Sequence, residues 1–324
     1  MFVGRNTSAR TTCLLVGAVV AAILLLVCII LLIVLFSASN ALDEEGTPIA
    51  TFAPAPPEGA AVISVLDVDQ GQAVAVIAPD GSAALIDAGR SGTRIEQEVA
   101  PYLRSLGVEE LDYLIISHPD QDHIGGMPRV LELFPVETWV DPAIPTTNQT
   151  YAQVLETVID QDIPAILARQ GEQLLLGDTV TLELLWPVDD MLTSGGEPDS
   201  NENSAVVRVT YDGVSVLIPG DLENRGERAL IDQYGADLLS DVLVAGHHGS
   251  NTSSSGAFLD TVAPDVAIIS AGEDNPYGHP HDEVLQRLRF RGIAIYRTDV
   301  DGTVNVIIED GRYEIETVVT DSRE

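Results

Sequence analysis

Hydrophobic positions along this chain fall into three regimes. From Leu14 to Phe36 they run for 23 residues without a charge. Between Asn40 and Gly59 they lose any period, among four Pro and several Ala and acidic residues. From Val62 onward, short apolar runs bounded by turn residues alternate with stretches in which apolar positions recur every three or four residues. The short runs predict strands at Val62–Val68, Ala73–Ala78, Ala83–Asp87, Leu111–Ser117, Val180–Trp186, Ala205–Tyr211, Val214–Pro219, Asp241–Ala245, Val266–Ser270, Ile293–Arg297 and Thr303–Ile308. The longer period predicts helices at Arg94–Leu106, Ile124–Phe134, Tyr151–Asp160, Glu223–Tyr234 and Asp282–Arg291. Pro79-Asp80-Gly81 and Tyr211-Asp212-Gly213 are hairpin signals and argue for antiparallel pairing. The pattern as a whole is that of a mixed α/β or α+β layered domain.

The first regime is long enough to span the ~30 Å hydrocarbon core of a bilayer as one helix. Arg5 and Arg10 precede it, and Asp43, Glu44 and Glu45 follow it. Positive flanks stay in the cytoplasm, so the expectation is a single-pass anchor in the cell membrane with the bulk of the chain outside. The expected organisation is a short cytoplasmic N-terminus (1–13), a transmembrane signal anchor (14–36), a Pro/Ala/Glu-rich linker (37–61) and one globular domain (62–320). The rival reading is a signal peptide cleaved near Ser37-Ala38-Ser39, which would leave a secreted protein; its apolar run is longer than signal peptides usually carry. The two cysteines, Cys13 and Cys28, lie at the edge of the apolar run and inside it. The domain itself therefore has neither disulfides nor thiolate ligands.

Net charge is −34, and every basic residue is Arg. An acidic surface keeps a domain soluble and repels polyanions at long range. This disfavours tight, non-specific nucleic-acid binding, which needs many cationic phosphate contacts. A small phosphodiester or ester substrate is compatible with it, and a salt-rich habitat would explain the same acidity. The bilayer is the one partner the sequence names; it identifies no membrane partner protein.

The candidate chemistry is concentrated in HPDQDHIGG, His118–Gly126, directly after the strand predicted at Leu111–Ser117. His118, Asp120, Asp122 and His123 place four neutral or anionic donors in six residues, an arrangement that a cation gathers and that would otherwise repel itself. The same residues also suit a solvated turn with Asp122 as a helix N-cap. Asp221 ends an apolar strand in Pro219-Gly220-Asp221, where it can bridge two ions or simply cap the next helix. His247-His248-Gly249-Ser250 follows another apolar strand. His279, in Asn275-Pro276-Tyr277-Gly278-His279-Pro280-His281, can hold a phosphate oxygen or protonate a leaving group. No G-x-S-x-G elbow offers a competing nucleophile.

The motif H-x-D-x-D-H-x-G-G resembles the metal motif of the metallo-β-lactamase superfamily, in the variant of the ComEC/Rec2 hydrolase domains, where Asp120 replaces a His. The stretches Leu66–Gly89, Asn203–Asp221, Val244–Ser250 and Tyr277–Pro280 match that group in order. The likeness runs from about Val62 to Ile308. It implies a four-layer αββα sandwich of α+β class, with two divalent metal ions per chain at the sheet edge. His118, Asp120 and Asp221 would hold one ion, and Asp122, His123, Asp221 and His247 the other. A water shared by two ions ~3.5–4 Å apart becomes a hydroxide nucleophile that Asp122 can also orient. By the same resemblance, Asp87 orients the ligand loop from behind, and Asn203, His248 and Ser250 face substrate. His247 and His248 can exchange roles, since neighbouring side chains diverge. Asp120 adds a hard oxygen donor, which moves preference from Zn²⁺ towards Mn²⁺ while three imidazoles keep Zn²⁺ in play. The implied activity is a membrane-anchored phosphodiesterase. Lactone, β-lactam or other ester hydrolysis on the same site is the alternative, and a non-catalytic surface module is the third. One departure stands out: the group usually shows D-V-G-Q-G-D, whereas this chain has Asp69 for that Gly and Gln72 for that final Asp.

Overall fold

Two mixed sheets stack face to face in the computed structural model, which describes residues 57–319 apart from Thr93. The membrane helix expected at 14–36, the N-terminal 1–13 and linker residues 37–56 lie outside the described residues. Among the described residues no helix is long and apolar enough to cross a membrane.

The first sheet holds β1 (Ala61–Val65), β2 (Val74–Ile77), β3 (Ala83–Ile86), β4 (Leu111–Ile115), β5 (Val136–Asp141) and β6 (Ala165–Leu167). The second begins with β7 (Gln173–Leu176) and β8 (Val180–Trp186), and a two-residue ribbon of β9 (Thr193–Ser194) and β10 (Glu197–Pro198) follows. It continues with β11 (Val206–Tyr211), β12 (Val214–Ile218), β13 (Val242–Val244), β14 (Val266–Ile269) and β15 (Ala294–Arg297). The chain then returns to the first sheet with β16 (Thr303–Glu309) and β17 (Arg312–Val318). The strand orders are β17-β16-β1-β2-β3-β4-β5-β6 and β15-β14-β13-β12-β11-β8-β7.

Period-two alternation divides the inner strands between two cores. Ala61, Ile63 and Val65 of β1 enter the core between the sheets, while Val62 packs outward under the helices of the first sheet. Val214, Val216 and Ile218 of β12 enter the same central core, while Leu217 faces the helices of the second sheet. Three separate apolar clusters thus mark three interfaces, helix on sheet, sheet on sheet and sheet on helix. These are the four layers of an αββα sandwich.

Both hairpin signals mark antiparallel pairs, β2 with β3 and β11 with β12. Parallel pairing, which the turn signals did not announce, joins β3 to β4, β5 and β6, and β12 to β13, β14 and β15. This matters for function, because loops leaving the carboxyl ends of neighbouring parallel strands open onto one crevice.

Several elements differ from their sequence expectation. Strand β1 begins inside the stretch read as linker and stops at Val65, releasing Leu66–Gln72 as a loop. The helix expected at Ile124–Phe134 is two pieces, Gln121–Ile124 and Met127–Leu133, broken at Gly125-Gly126. There is no room there for a side chain: a Cβ on Gly126 would lie 2.1 Å from the Ala88 carbonyl oxygen. Strands β5, β6, β7 and β17 and the helix Gly256–Val262 are additional.

Beneath β1 a buried polar chain ties the first sheet to its helices. Ser64 Oγ lies 2.7 Å from the Tyr102 hydroxyl, which donates to Asn305 Oδ1 at 2.8 Å. Burial pushes the Tyr102 phenol up to about 12 from 10.0. A folded pKa above the unfolded one lends stability below pH 10 that disappears as pH rises through 12. The wild-type chain should therefore lose about 3 kcal/mol of Tyr102-linked stability over that interval. Tyr102→Phe should cost about 1–3 kcal/mol at pH 8 by stranding Ser64 and Asn305, and should lack that alkaline loss. Urea melts of the two proteins at pH 8 and pH 11.5 check both statements.

Candidate metal centre

The sequence-predicted donors come from four loops at the carboxyl ends of parallel strands. His118–His123 follow β4, Asp87 follows β3, Asp221 follows β12, and His247-His248 follow β13. Two groups of donor atoms gather within 4.8 Å: His118, His123 and Asp221, and Asp122, His123 and His248. Asp221 is central. Its Oδ1 lies 3.2 Å from His123 Nε2 and 3.6 Å from His248 Nε2, and its Oδ2 lies 3.9 Å from His118 Nε2. Asp122 Oδ2 is 3.6 Å from His248 Nε2. Asp120 stands at the exposed mouth, with Oδ2 3.8 Å from His118 Nε2 and Oδ1 accepting from Ser200 Oγ.

All three inner imidazoles are held from behind through Nδ1. His123 Nδ1 lies 2.7 Å from Asp87 Oδ2, and His248 Nδ1 lies 3.0 Å from the Ser270 carbonyl. Ser117 Oγ donates to Asp87 Oδ2, so it accepts from His118 Nδ1 at 3.0 Å. With Nδ1 carrying the proton, each ring turns its Nε2 lone pair inward. The Nε2 atoms of His118, His123 and His248, together with Asp221 Oδ1, are buried and lack a hydrogen-bond partner. Buried polar atoms without partners are costly, and a divalent cation satisfies all four. On chemistry and placement, the residues present fit metal ions.

The electrostatics divide the three rings: His118 and His248 favour the neutral form, and His123 without metal the protonated one. Burial pushes the His118 and His248 imidazoles below their ordinary value, favouring the neutral ligand form. Burial also opposes charge on His123, but Asp221 and Asp87 outweigh it and raise its pKa. Asp221 would be pushed up by burial; His123, His248 and His118 instead hold its carboxyl well below the usual range. Asp122 is likewise lowered, with His123 and His248 overcoming burial.

Four residues sit differently from the expectation: His247, His248, Asn203 and Ser250. His247, favoured from the resemblance as the ligand, belongs to neither donor group. Its Nδ1 lies 3.2 Å from Glu223 Oε1; its Nε2 lies 3.5 Å from Asp221 Oδ2, about as near as His248 Nε2 is to Oδ1, but its ring is part-exposed where that of His248 is buried. The cause is the backbone: φ of 51° at His247 and 54° at His248 make a tight left-handed turn that sends His248 inward. Asn203, expected at substrate, is fully buried, donates to the Leu192 and Asp199 carbonyls and accepts from Leu192 N–H. It anchors the segment carrying the β9–β10 ribbon. Ser250 bonds Thr252, whose hydroxyl donates to Glu223, so it supports the Glu223–His247 pair.

His279 closes the cluster. Its ring is 5.6 Å from His247 and 4.9 Å from His281, so all six histidines of the chain form one series of ring contacts. Burial, then the neighbouring His248 and His247, lower His279 to about 4. Asn275 holds its loop, accepting from His279 N–H and donating to the His279 carbonyl.

Ser117, Glu223 and Ser270 were not legible as site residues; Ser204 was, since with Asn203 it stands where many superfamily members carry a His. Ser204 Oγ accepts from Asp221 N–H at 3.2 Å, and Gly220 sits between Ser117 and Ser204. At Gly220 φ is +57°, and a Cβ would lie 2.9 Å from Ser117 Cβ and 3.1 Å from Ser204 Cβ. Gly220→Ala should therefore cost at least about 2 kcal/mol through strain and crowding and weaken metal binding by displacing Asp221. Thermal melts with and without Zn²⁺ read both effects.

Comparison with known proteins places the chain in context. Residues 66–273 match the model of the metallo-β-lactamase superfamily. Competence protein ComA of Neisseria gonorrhoeae is 36% identical over 249 residues, covering 76% of this chain and 32% of that protein. ComE operon protein 3 of Bacillus subtilis (strain 168) is 31% identical over 258 residues, covering 75% of this chain and 32% of that protein. The chain thus spans about a third of the length of these curated relatives. Among solved structures, CmlA, a diiron β-hydroxylase from Streptomyces venezuelae, shares the fold at a TM-score of 0.52 and 16% identity, over 84% of this chain and 58% of that one.

Proposed function

Because the chain belongs to the metallo-β-lactamase superfamily, we propose that it is a metal-dependent hydrolase whose substrate is a small phosphodiester. The observation that carries the metal reading is the convergence of three buried imidazole Nε2 atoms on Asp221, each ring fixed through Nδ1. His118, Asp120 and Asp221 would hold one ion, and Asp122, His123, Asp221 and His248 a second. The mixed carboxylate and imidazole donors suit Mn²⁺ or Zn²⁺. The chemistry such ions would supply, if bound there, is a more acidic water and stabilised charge on the attacked centre.

The remaining work falls to the chain's own side chains. Asp122, half inside the site, is placed to orient a water through its carboxylate. The Glu223–His247 pair can hold a proton at His247 Nε2 on the open side, where a leaving group would depart. Burial opposes charge on His247, but Glu223 and Asp221 raise its pKa. His279, neutral near pH 7, offers a hydrogen bond to a substrate oxygen.

Resemblance to the ComEC/Rec2 hydrolase domains supports the phosphodiester. The net charge of −34 supports a small substrate over a long polyanion. The same charge suits a lactone, β-lactam or other ester equally, which is the second reading. We further propose that Leu14–Phe36 anchors the protein in the cell membrane with the hydrolase domain outside. Protease treatment of intact cells should then cleave the domain.

The deciding experiment strips the full-length chain with a chelator and reloads it with Mn²⁺ or Zn²⁺. Bis(p-nitrophenyl) phosphate, a β-lactam and a lactone are then assayed beside Asp122→Ala. Diester cleavage that needs metal and fails in Asp122→Ala supports the proposal. Turnover of only the lactam or lactone moves the assignment to acyl hydrolysis. Absence of metal and of all three activities leaves a binding module.

A further inference from the structure

Gln72, the departure from the family's motif, has a defined place in the structure. Its backbone is clamped on two sides: Gln72 N–H donates to the Asp122 carbonyl at 3.0 Å, and its own carbonyl accepts from Gly89 N–H at 2.8 Å. The preceding Gly71 has φ of +144°, and a Cβ there would lie 2.4 Å from the Asp122 carbonyl oxygen. Ser270 Oγ donates to the Gly71 carbonyl at 2.7 Å. The loop Leu66–Gln72 therefore joins the Asp122 loop of the first sheet to the β14 loop of the second, directly behind the metal centre.

From this clamped position the Gln72 side chain, almost wholly buried, donates Nε2–H to Asp87 Oδ2 at 2.8 Å. Asp87 is fully buried. Its Oδ1 accepts from Ser117 N–H at 2.7 Å. Its Oδ2 accepts from Ser117 Oγ at 2.6 Å and His123 Nδ1 at 2.7 Å, as well as from Gln72. A carboxylate offers about four lone-pair positions, and these four donors share them unevenly, one on Oδ1 and three crowded onto Oδ2. An acid at position 72 would turn an acceptor, not a donor, toward the same oxygen.

We infer that Gln72 is a positioning residue of the metal centre: its amide completes the donor set of Asp87 and, through Asp87, fixes His123 Nε2 on the ion. The inference rests on the metal reading above. Two variants of equal length separate positioning from packing. Gln72→Met keeps the volume and loses the donor; Gln72→Glu keeps the shape and sets a carboxylate against Asp87.

Zn²⁺ affinity of the full-length chain is measured at pH 8 by competition with a chromophoric chelator, beside melting of the metal-free proteins. A group that bonds a metal ligand directly, as Asp87 does, contributes about 10- to 100-fold in metal affinity, and Gln72 acts one hydrogen bond further out. Gln72→Met should bind Zn²⁺ more weakly by up to about 10-fold, and Gln72→Glu more weakly still. At saturating Zn²⁺, kcat should fall while KM stays unchanged. Zn²⁺ affinities within twofold of wild type in both variants overturn the inference, whatever their melting temperatures. A wild-type chain that takes up no Zn²⁺ overturns the metal reading itself, and the inference with it.

Discussion

Replacing Asp221 with alanine should lower diester hydrolysis by on the order of 10³-fold or more and reduce bound metal to at most one ion per chain. Among the described residues no other carboxylate faces as many imidazoles. Its two oxygens face Nε2 of His118, His123, His247 and His248 at 3.2 to 3.9 Å. Removing it separates the two donor groups and leaves the imidazoles with only the carboxylates around them, Asp87, Asp120, Asp122 and Glu223. Asp221→Asn, which keeps the shape and one carbonyl oxygen, should retain more metal than alanine. In the chelated protein the carboxyl also has a pH signature. Its folded pKa is held well below 3.8, chiefly by His123 and His248 against burial. The stability it lends is therefore complete above the ordinary carboxylate range and is lost only as pH falls below it. Elemental analysis and turnover, with acid melts of the chelated proteins, check the three statements. Two ions and near-normal turnover in Asp221→Ala would remove Asp221 from the centre.

His248→Ala and His247→Ala should separate cleanly although the residues are adjacent. His248 is buried, with Nδ1 on the Ser270 carbonyl and Nε2 facing Asp122 and Asp221. Its loss removes a ligand, so metal content should fall to about one ion and turnover by about 10³-fold or more. His247 leans on Glu223 from the open side. Its loss should leave two ions bound and lower kcat about 10²-fold, the scale of a proton-transfer role. Glu223→Gln should copy the kcat effect in part and leave metal content untouched. The reverse pattern, metal lost with His247 and kept without His248, would restore the order read from the resemblance.

Much of the site was legible because its donors are close in the chain. His118, Asp120, Asp122 and His123 occupy six residues after an apolar strand, and their mutual repulsion without a cation can be argued from residue type alone. Asp87, Asp221 and the His247-His248 pair were each legible as polar residues at strand ends. The layered fold was legible too, since period-two runs separated by helical stretches admit few architectures. Strand β17 was less so: its polar alternation, Arg312–Val318, is that of a half-covered edge, although Asp310-Gly311 before it is a hairpin turn.

What the sequence alone determined, then, is a set of strand-end carboxylates and imidazoles on a layered α+β frame, because residue type and period are local properties. Only the tertiary structure decided which of those groups meet. His248 rather than His247 turns inward because a left-handed turn, with Gly249 pressed against Pro280, sets the direction of each side chain. Asn203 is taken by the Leu192 and Asp199 backbone, a partnership no motif announces. Ser270 reaches Gly71 across 199 positions, and Gln72 reaches Asp87 across 15. The first contact depends on how the two sheets stack, and the second on how the β2–β3 hairpin closes over the loop before it. Non-local packing decides that, and no window along the chain contains it.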